Sequence, residues 1–590
     1  MIDYGTLDSA LDRNWYDLDP DLRDRVRRDC PPEDYEWADA TLRSFGAVVG
    51  GRIARNAEVI DANPPELVRY DRWANAVDTV VHHPAALDSK QALWDAGYVS
   101  GFAAAERDRS RPAPGVVLGA SSYLLSQADT GMVCSLGMTS GVAGLVASYA
   151  PPDVRDELLA GLRADDLEHG SDGSMFLTER EGGSDLGRTV HCVARDLGDG
   201  RVAITGEKWF CSNIDGAAIV ILARPEGAPE GPGGLGLYLV SRYLEDGSPN
   251  RYTMRRLKQK LGTRSVPTGE VEFDGALGWA LRPPAGDAGG AGDDGEQSGS
   301  DAGGLNRMME MVNGSRFGVA MMGLGIARRC FLEAAVWAHH RKAKGQLLVD
   351  LSLAREQLVD LLVELEGAVA LGFECAAANR FADLSLRRIL VPAAKVRLCR
   401  LGVEAAGFAV ELYGGNGYCE DWGLTRQLRD AQCHPIWEGS ENICVLDVLR
   451  AMRRDGAHQA VFARIDAALR TAETGAPGWA SAEVKALSAA RRELEERVGD
   501  VLARDRDAAE GAAGRLCGLL VSTMTAALLL EQASDGGPLA VHKGLVALRF
   551  ARRHLLPDSG WTDRIAAETG RELLAFADLD EATAARAAAT

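Results

Sequence analysis

The chain has eleven cysteines and no Cys-x-x-Cys pair among them. A zinc cage or a dense disulfide framework needs clustered cysteines, so both are excluded, and the thiols are expected to be reduced and mostly structural. Long apolar runs are scarce as well. The longest, Leu516 to Leu530, is interrupted by Gly518, Ser522 and Thr523 and falls short of the roughly 20 residues of a membrane span, which predicts a buried helix. The first residues, Met1 to Ala10, carry no basic patch followed by an apolar stretch; a secretory signal is not expected, and the cytoplasm is the expected compartment. Basic residues are also in deficit, with 65 Lys plus Arg against 85 Asp plus Glu and a net charge of -20. Such a surface repels phosphate backbones and anionic headgroups, so neither DNA nor a membrane is an expected partner. No repeat at solenoid periods is present.

What is there is an ordinary globular composition, 46% apolar and 25% charged. At 590 residues the chain exceeds what one core supports and is expected to be multidomain. Helical spacing dominates from Pro32 to Ala150, as in Leu42, Phe45, Val48 and Val49, and predicts an N-terminal helical domain over 1–169. Val202 and Ile204, then Leu235, Leu237 and Leu239, then Val271 and Phe273 alternate with period two, and Leu197-Gly-Asp-Gly200 reads as a hairpin turn. An antiparallel sheet domain is expected over 170–281. The segment 282–305 is almost wholly Pro, Gly, Ala, Asp and Ser, a flexible loop by composition. Helical periodicity returns over 306–450, with Leu358, Leu361, Leu362 and Leu365 on one face; Pro392 is placed to open a helix and Gly414-Gly415 to end it. The Ala-, Arg- and Glu-rich remainder, 451–590, predicts an extra C-terminal helical domain.

Four segments carry the chemistry. His434-Pro-Ile-Trp-Glu-Gly-Ser-Glu-Asn-Ile443 puts the carboxylate of Glu438 on a short turn between helical segments. Upstream lie Met175-Phe-Leu-Thr-Glu-Arg-Glu-Gly-Gly-Ser-Asp185, Gly206-Glu-Lys-Trp-Phe-Cys-Ser-Asn213 and Leu412-Tyr-Gly-Gly-Asn-Gly-Tyr418. In this order, over roughly residues 40 to 450, the set resembles the acyl-CoA dehydrogenase superfamily of flavoproteins. The resemblance implies a mainly α fold with a central antiparallel β domain, a homotetramer, and FAD-dependent dehydrogenation of an acyl thioester at Cα–Cβ. Such a reaction needs a base for the Cα proton and an acceptor for the Cβ hydride. Ile436-Trp-Glu-Gly-Ser440 looks like the family's Ile-Tyr-Glu-Gly-Thr turn, which assigns Glu438 as the base. The alternative position of the base in another group of the family reads Gly314-Ser-Arg-Phe317 here, and Ser315 is no carboxylate.

The same resemblance implies the FAD contacts. Phe176, Leu177, Thr178, Gly183 and Ser184 match the family's Thr-Glu-Pro-x-x-Gly-Ser-Asp signature, and Phe210, Cys211 and Ser212 match its Trp-Ile-Thr strand. Arg341 holds the place of an arginine that reaches FAD of a neighbouring subunit, Gly415 belongs to the Gly-Gly pair, and Ile436, Trp437, Ser440 and Asn442 surround the base. The chain departs from the family at Arg180 for proline, Lys344 for an aromatic and Glu411 for glutamine. No metal ligands are expected. Trp437, Ser440 and the long C-terminal domain together resemble the AidB-like branch, which implies a second reading: a flavoprotein with a DNA-protective or alkylation-response role and vestigial dehydrogenase activity. Residues 451–590 carry 18 Lys plus Arg against 20 Asp plus Glu, without the basic excess of a DNA-binding domain, and the thioester reading leads. The sequence specifies neither the acyl chain nor its carrier nor the electron acceptor.

Overall fold

The computed structural model describes residues 1–283, 303–380, 383–556 and 563–589. The loop expected at 282–305 lies outside the described residues except at its ends. The chain divides into two compact units, Arg55–Ala113 with Asp129–Gly318, and Met1–Ala54 with Pro114–Ala128 and Val319–Thr590. Most of the described chain is helical, with one seven-stranded sheet, as expected.

The sheet belongs to the first of these units. Its strands are β3 (Gly173–Phe176), β4 (Val193–Gly198), β5 (Arg201–Ser212), β6 (Ala218–Pro225), β7 (Gly236–Ser241), β8 (Tyr252–Leu257) and β9 (Thr268–Ala280). The order is β3-β6-β4-β5-β9-β7, with β8 on β9, and β6 also pairs with β7, closing the sheet on itself. Closure protects strand edges that would otherwise present unpaired backbone groups. The turn between β4 and β5 is the expected hairpin; Gly198, Asp199 and Gly200 take φ of 90°, 52° and 75°, and glycine adopts such values without a Cβ penalty. The antiparallel expectation holds for β5 with β9 and β6 with β7, but β3 and β4 run parallel to β6. A tight hairpin forces antiparallel pairing, whereas β3 reaches β6 only through β4 and β5, a connection long enough for the parallel sense. Residues 218–223 of β6 are buried throughout, as a strand covered on both faces must be.

A second departure is a small hairpin in the region expected to be mainly helical, β1 (Glu66–Tyr70) with β2 (Ala76–Val81). Its β-branched and aromatic residues, Val68, Tyr70, Val77, Thr79 and Val80, favour a pleated surface over a helix. Asp71 closes the turn by accepting from the amides of Trp73 (2.8 Å) and Asn75 (2.9 Å). Asp78 joins Arg69 (2.9 Å) and accepts from the Met254 amide (3.0 Å), which docks the hairpin on β8.

The other unit is helical. Helix Ser352–Arg380 carries the predicted leucine face inward, and Leu384–Tyr413 ends at Gly414 as expected, with φ of 64°. Pro392 does not open that helix. The helix starts at Leu384, where Asp383 accepts from the Leu386 amide (2.9 Å), and Pro392 lies inside it; a strong cap upstream outweighs the one backbone bond that an interior proline removes. Residues beyond 450 form helices including His458–Gly475, Ser481–Leu502, Arg506–Ala533 and Ala540–His554. Against expectation, Arg506–Ala533 and, in the sheet-bearing unit, Thr130–Tyr149 are long and apolar enough to cross a membrane; most of each is buried within the protein, as in core helices. All eleven cysteines lie among the described residues, and no disulfide joins any of them.

Candidate active site

In the sheet-bearing unit, the loop after β3 and the end of β5 are joined by a buried ion pair. Lys208 on β5 donates to Glu179 (2.8 Å) and to the Leu177 carbonyl (3.1 Å). Glu179 also accepts from the amides of His191 (2.7 Å) and Cys192 (3.1 Å), so a costly buried carboxylate is fully answered. The Trp209 amide donates to the Thr178 carbonyl (2.8 Å). The backbone from Leu177 to Glu179 is therefore fixed from one side. The chain then folds back so closely that a Cβ on Gly183 would lie 2.5 Å from the Thr178 hydroxyl oxygen, which explains glycine there.

The predicted residues sort by exposure. Phe210 is 55% exposed although aromatic, and Gly183 and Ser184 are exposed. Thr178 and Ser212 are half-buried, and the Ser212 hydroxyl lies 3.1 Å from that of Thr268. The Lys258 ammonium stands over the rings of Trp209 (3.8 Å) and Phe210 (4.7 Å) while donating to Glu270 (2.8 Å). The side chains of Phe176 and Cys211, by contrast, belong to the sheet core and reach no surface. Burial pushes the Cys211 thiol far up, so it is a neutral packing group. An exposed aromatic face, a fixed loop with glycines and hydroxyls, and a nearby cation form a surface that fits a flat heteroaromatic ring with polar edges, the chemistry of an isoalloxazine.

In the helical unit, Glu438 lies on the turn between helices Leu424–Ala431 and Glu441–Asp455, as expected. It is half-buried, with φ of 55°, and Gly439 follows at 101°. A left-handed conformation costs a non-glycine residue roughly 1–2 kcal/mol and persists only where the surroundings impose it. Two side chains absent from the sequence-based set lie behind the turn. Lys395 is fully buried and donates to the carbonyls of Pro435 (3.1 Å) and Gly439 (2.6 Å). His434 is fully buried, and burial, then the Lys395 charge, pulls its pKa down to about 3, so it stays neutral. Its ring stands edge-on to Trp437 at 6.3 Å. The signal for Lys395 was one charge in the apolar helical run Leu390-Val-Pro-Ala-Ala-Lys-Val396, a position where charge is placed only for a specific partner.

Around this turn Ile436 is 67% exposed, Trp437 is half-buried, and Ser440 and Asn442 are exposed at the start of helix Glu441–Asp455. Arg341 is exposed where helix Gly304–His340 ends in a tight hairpin, with Lys344 (φ 52°) and Gly345 (φ 81°) at its tip. Lys344 thus occupies a left-handed turn position. Gly415 is exposed next to that helix: Trp337, one turn before Arg341, stacks on Tyr413 at 4.3 Å and donates to the Leu412 carbonyl (3.2 Å). Among the described residues no His, Cys, Asp and Glu cluster could hold a metal.

A helical chain with a central sheet domain of this topology and a carboxylate on a tethered turn defines the acyl-CoA dehydrogenase class of fold. Comparison with known proteins gives the family. Models of the acyl-CoA dehydrogenase middle domain and C-terminal domain match residues 174–276 and 302–453, and a model of the N-terminal domain of the adaptive response protein AidB matches 7–168. The AidB protein of Escherichia coli (strain K12) is 33% identical over 75% of this chain and 78% of its own length. Acyl-CoA dehydrogenase family member 11 of Caenorhabditis elegans is 27% identical over 93% of this chain and 89% of its own. The crystal structure of C. elegans ACDH-11 in complex with C11-CoA superposes with a TM-score of 0.83 at 26% identity, covering 95% of this chain and 97% of that one. The chain belongs to the acyl-CoA dehydrogenase family.

Proposed function

We propose that this enzyme dehydrogenates an acyl-CoA thioester at Cα–Cβ, with Glu438 removing the Cα proton and FAD as its cofactor. The observation that carries the proposal is Glu438 itself, a half-buried carboxylate held in a left-handed turn by a buried lysine. A base for a weakly acidic C–H has to be a group that can accept the proton and is held at a fixed place, and a carboxylate on an imposed backbone conformation meets both needs. FAD supplies the hydride acceptor when bound. Thr178, Gly183, Ser184, Phe210 and Ser212 are the residues that would hold its ring system, while Arg341 and Gly415 would reach the phosphate and adenosine part of the FAD of a neighbouring subunit. In this reading the side chains of Phe176 and Cys211 only support that surface from the core. The C11-CoA carried by the nematode relative supports an acyl-CoA as the thioester, and family membership supports a homotetramer.

The DNA-protective reading ranks second. Arg549, Arg552 and Arg553, the basic cluster of the C-terminal region, are committed to carboxylates: Arg549 to Glu356 (2.5 Å) and Asp360 (2.6 Å), Arg552 to Glu483 (3.0 Å), and Arg553 to Asp360 and to Glu364 (3.4 Å). A phosphate would have to displace these partners.

The purified chain is expected to be yellow, to release FAD on denaturation, and to bleach anaerobically with at least one member of a butyryl- to dodecanoyl-CoA series. A colourless protein that takes up no added FAD contradicts the cofactor assignment, and a yellow one that no thioester bleaches contradicts the reaction. Phe210→Ala is expected to weaken FAD binding about threefold to tenfold by losing a ring contact, read by titrating apoprotein with FAD and following flavin fluorescence. An unchanged affinity would remove Phe210 from the site.

A further inference from the structure

Three lysines are fully buried among the described residues, and one of them is unlike the others. Lys208 faces Glu179 and Lys543 faces Glu366, the pairing that a buried ammonium normally requires. Lys395 instead directs both of its hydrogen bonds to backbone oxygens, the carbonyls of Pro435 and Gly439. Those two carbonyls bracket Ile436, Trp437 and Glu438. Between them the chain passes through two consecutive positive-φ residues, Glu438 and Gly439. The neighbouring His434 ring has no hydrogen-bond partner on either nitrogen among the described residues, so it tethers nothing.

We propose that Lys395 is the positioning residue of the reaction: its ammonium grips the turn at both ends and holds the Glu438 carboxylate where the Cα proton is to be taken. The inference rests on the reading of Glu438 as base. A charged donor to a carbonyl is stronger than a neutral one, and two such bonds on residues four apart fix the turn's rotation as well as its position. Without them the Gly439 carbonyl keeps only a weaker kind of donor, the Cys444 thiol at 3.6 Å, the left-handed pair relaxes, and the carboxylate moves while the rest of the substrate surface does not. A misplacement of about 1 Å at a reacting group lowers the chemical step roughly 100-fold.

The test is anaerobic stopped-flow reduction of the FAD-loaded full-length enzyme by the acyl-CoA that bleaches the parent fastest in the butyryl to dodecanoyl series. Parent, Lys395→Met, Lys395→Gln and Glu438→Gln are compared as limiting rate per bound FAD, together with the substrate dissociation constant from the same titration and the thermal midpoint. Lys395→Met is expected to lower the limiting rate roughly 10- to 100-fold with the dissociation constant within about twofold, and Lys395→Gln, which keeps an uncharged donor, to fall between it and the parent. A purely structural lysine would lower FAD content and thermal midpoint but leave the rate per bound FAD at the parent value, and that result overturns the proposal. If Lys395→Met does not fold, a parent-like rate in Lys395→Gln overturns it equally. A fully active Glu438→Gln, or a parent that no thioester reduces, removes the reading of the base and the proposal with it, whereas an inactive Glu438→Gln beside a parent-like lysine variant removes the positioning role alone.

Discussion

Glu438→Gln is expected to give a folded, yellow protein whose rate of reduction by acyl-CoA falls by roughly 10²–10⁴-fold, the share of catalysis a positioned base supplies. The substitution keeps the length and shape of the side chain and exchanges only the group that accepts a proton. It leaves the turn's anchors untouched, because Lys395 holds the carbonyls of Pro435 and Gly439, backbone groups that the substitution does not alter. The loss should therefore fall on the limiting rate, with FAD content and thioester affinity near those of the parent. Retention of the parent rate would show that another group takes the proton. Loss of FAD together with activity would show that Glu438 supports the cofactor and leave its role as base without support.

Local sequence signals disclosed the chemistry of this chain better than its long-range architecture. The Glu438 turn was legible through its company: a carboxylate beside glycine is by itself most often a solvated turn, and the three motifs that precede it in order single it out, whereas the Leu197 to Gly200 turn was legible because glycines mark the left-handed positions that a hairpin needs. The parallel pairing of β3 and β4 with β6 was not, since sense depends on which strand a segment meets in space and alternation of apolar residues is the same in both senses. Pro392 misled for a related reason: it marks a helix start only when no better cap lies upstream, and Asp383 is that cap. The hairpin at 66–81 was hidden by helical spacing around it, although its own residues favour strands. Among the candidate cofactor residues, the motifs point equally to Thr178, Ser184, Phe210, Phe176 and Cys211, and give no sign that the last two are buried in the sheet core. Lys395 was missed because its partners are backbone carbonyls, which leave no complementary residue in the sequence to pair it with.

Lys543→Met is expected to cost the helical unit roughly 3–5 kcal/mol, the penalty for stripping one partner from a buried charge cluster. Lys543, on helix Ala540–His554, donates to Asp21 of helix Pro20–Asp29 and to Glu366 of helix Ser352–Arg380 (2.5 Å). His542 lies 2.6 Å from the other oxygen of Glu366. All four side chains are buried, so the cluster ties the first helix of the chain, the dehydrogenase bundle and the C-terminal helices together at one point. Methionine fills most of the lysine volume, and packing loss is thus small; what remains is two buried carboxylates facing a single histidine. The thermal transition of this unit should fall by several degrees. A second variant separates charge from shape: replacing Asp21 and Glu366 with Asn and Gln in the Lys543→Met background removes the stranded charges and should recover part of the loss, as complete removal of a buried ion cluster often does. A Lys543→Met midpoint equal to the parent's would mean that the cluster does not join these segments energetically. A triple variant no better than the single one would place the loss in packing, and the C-terminal helices would then be held by their apolar faces alone.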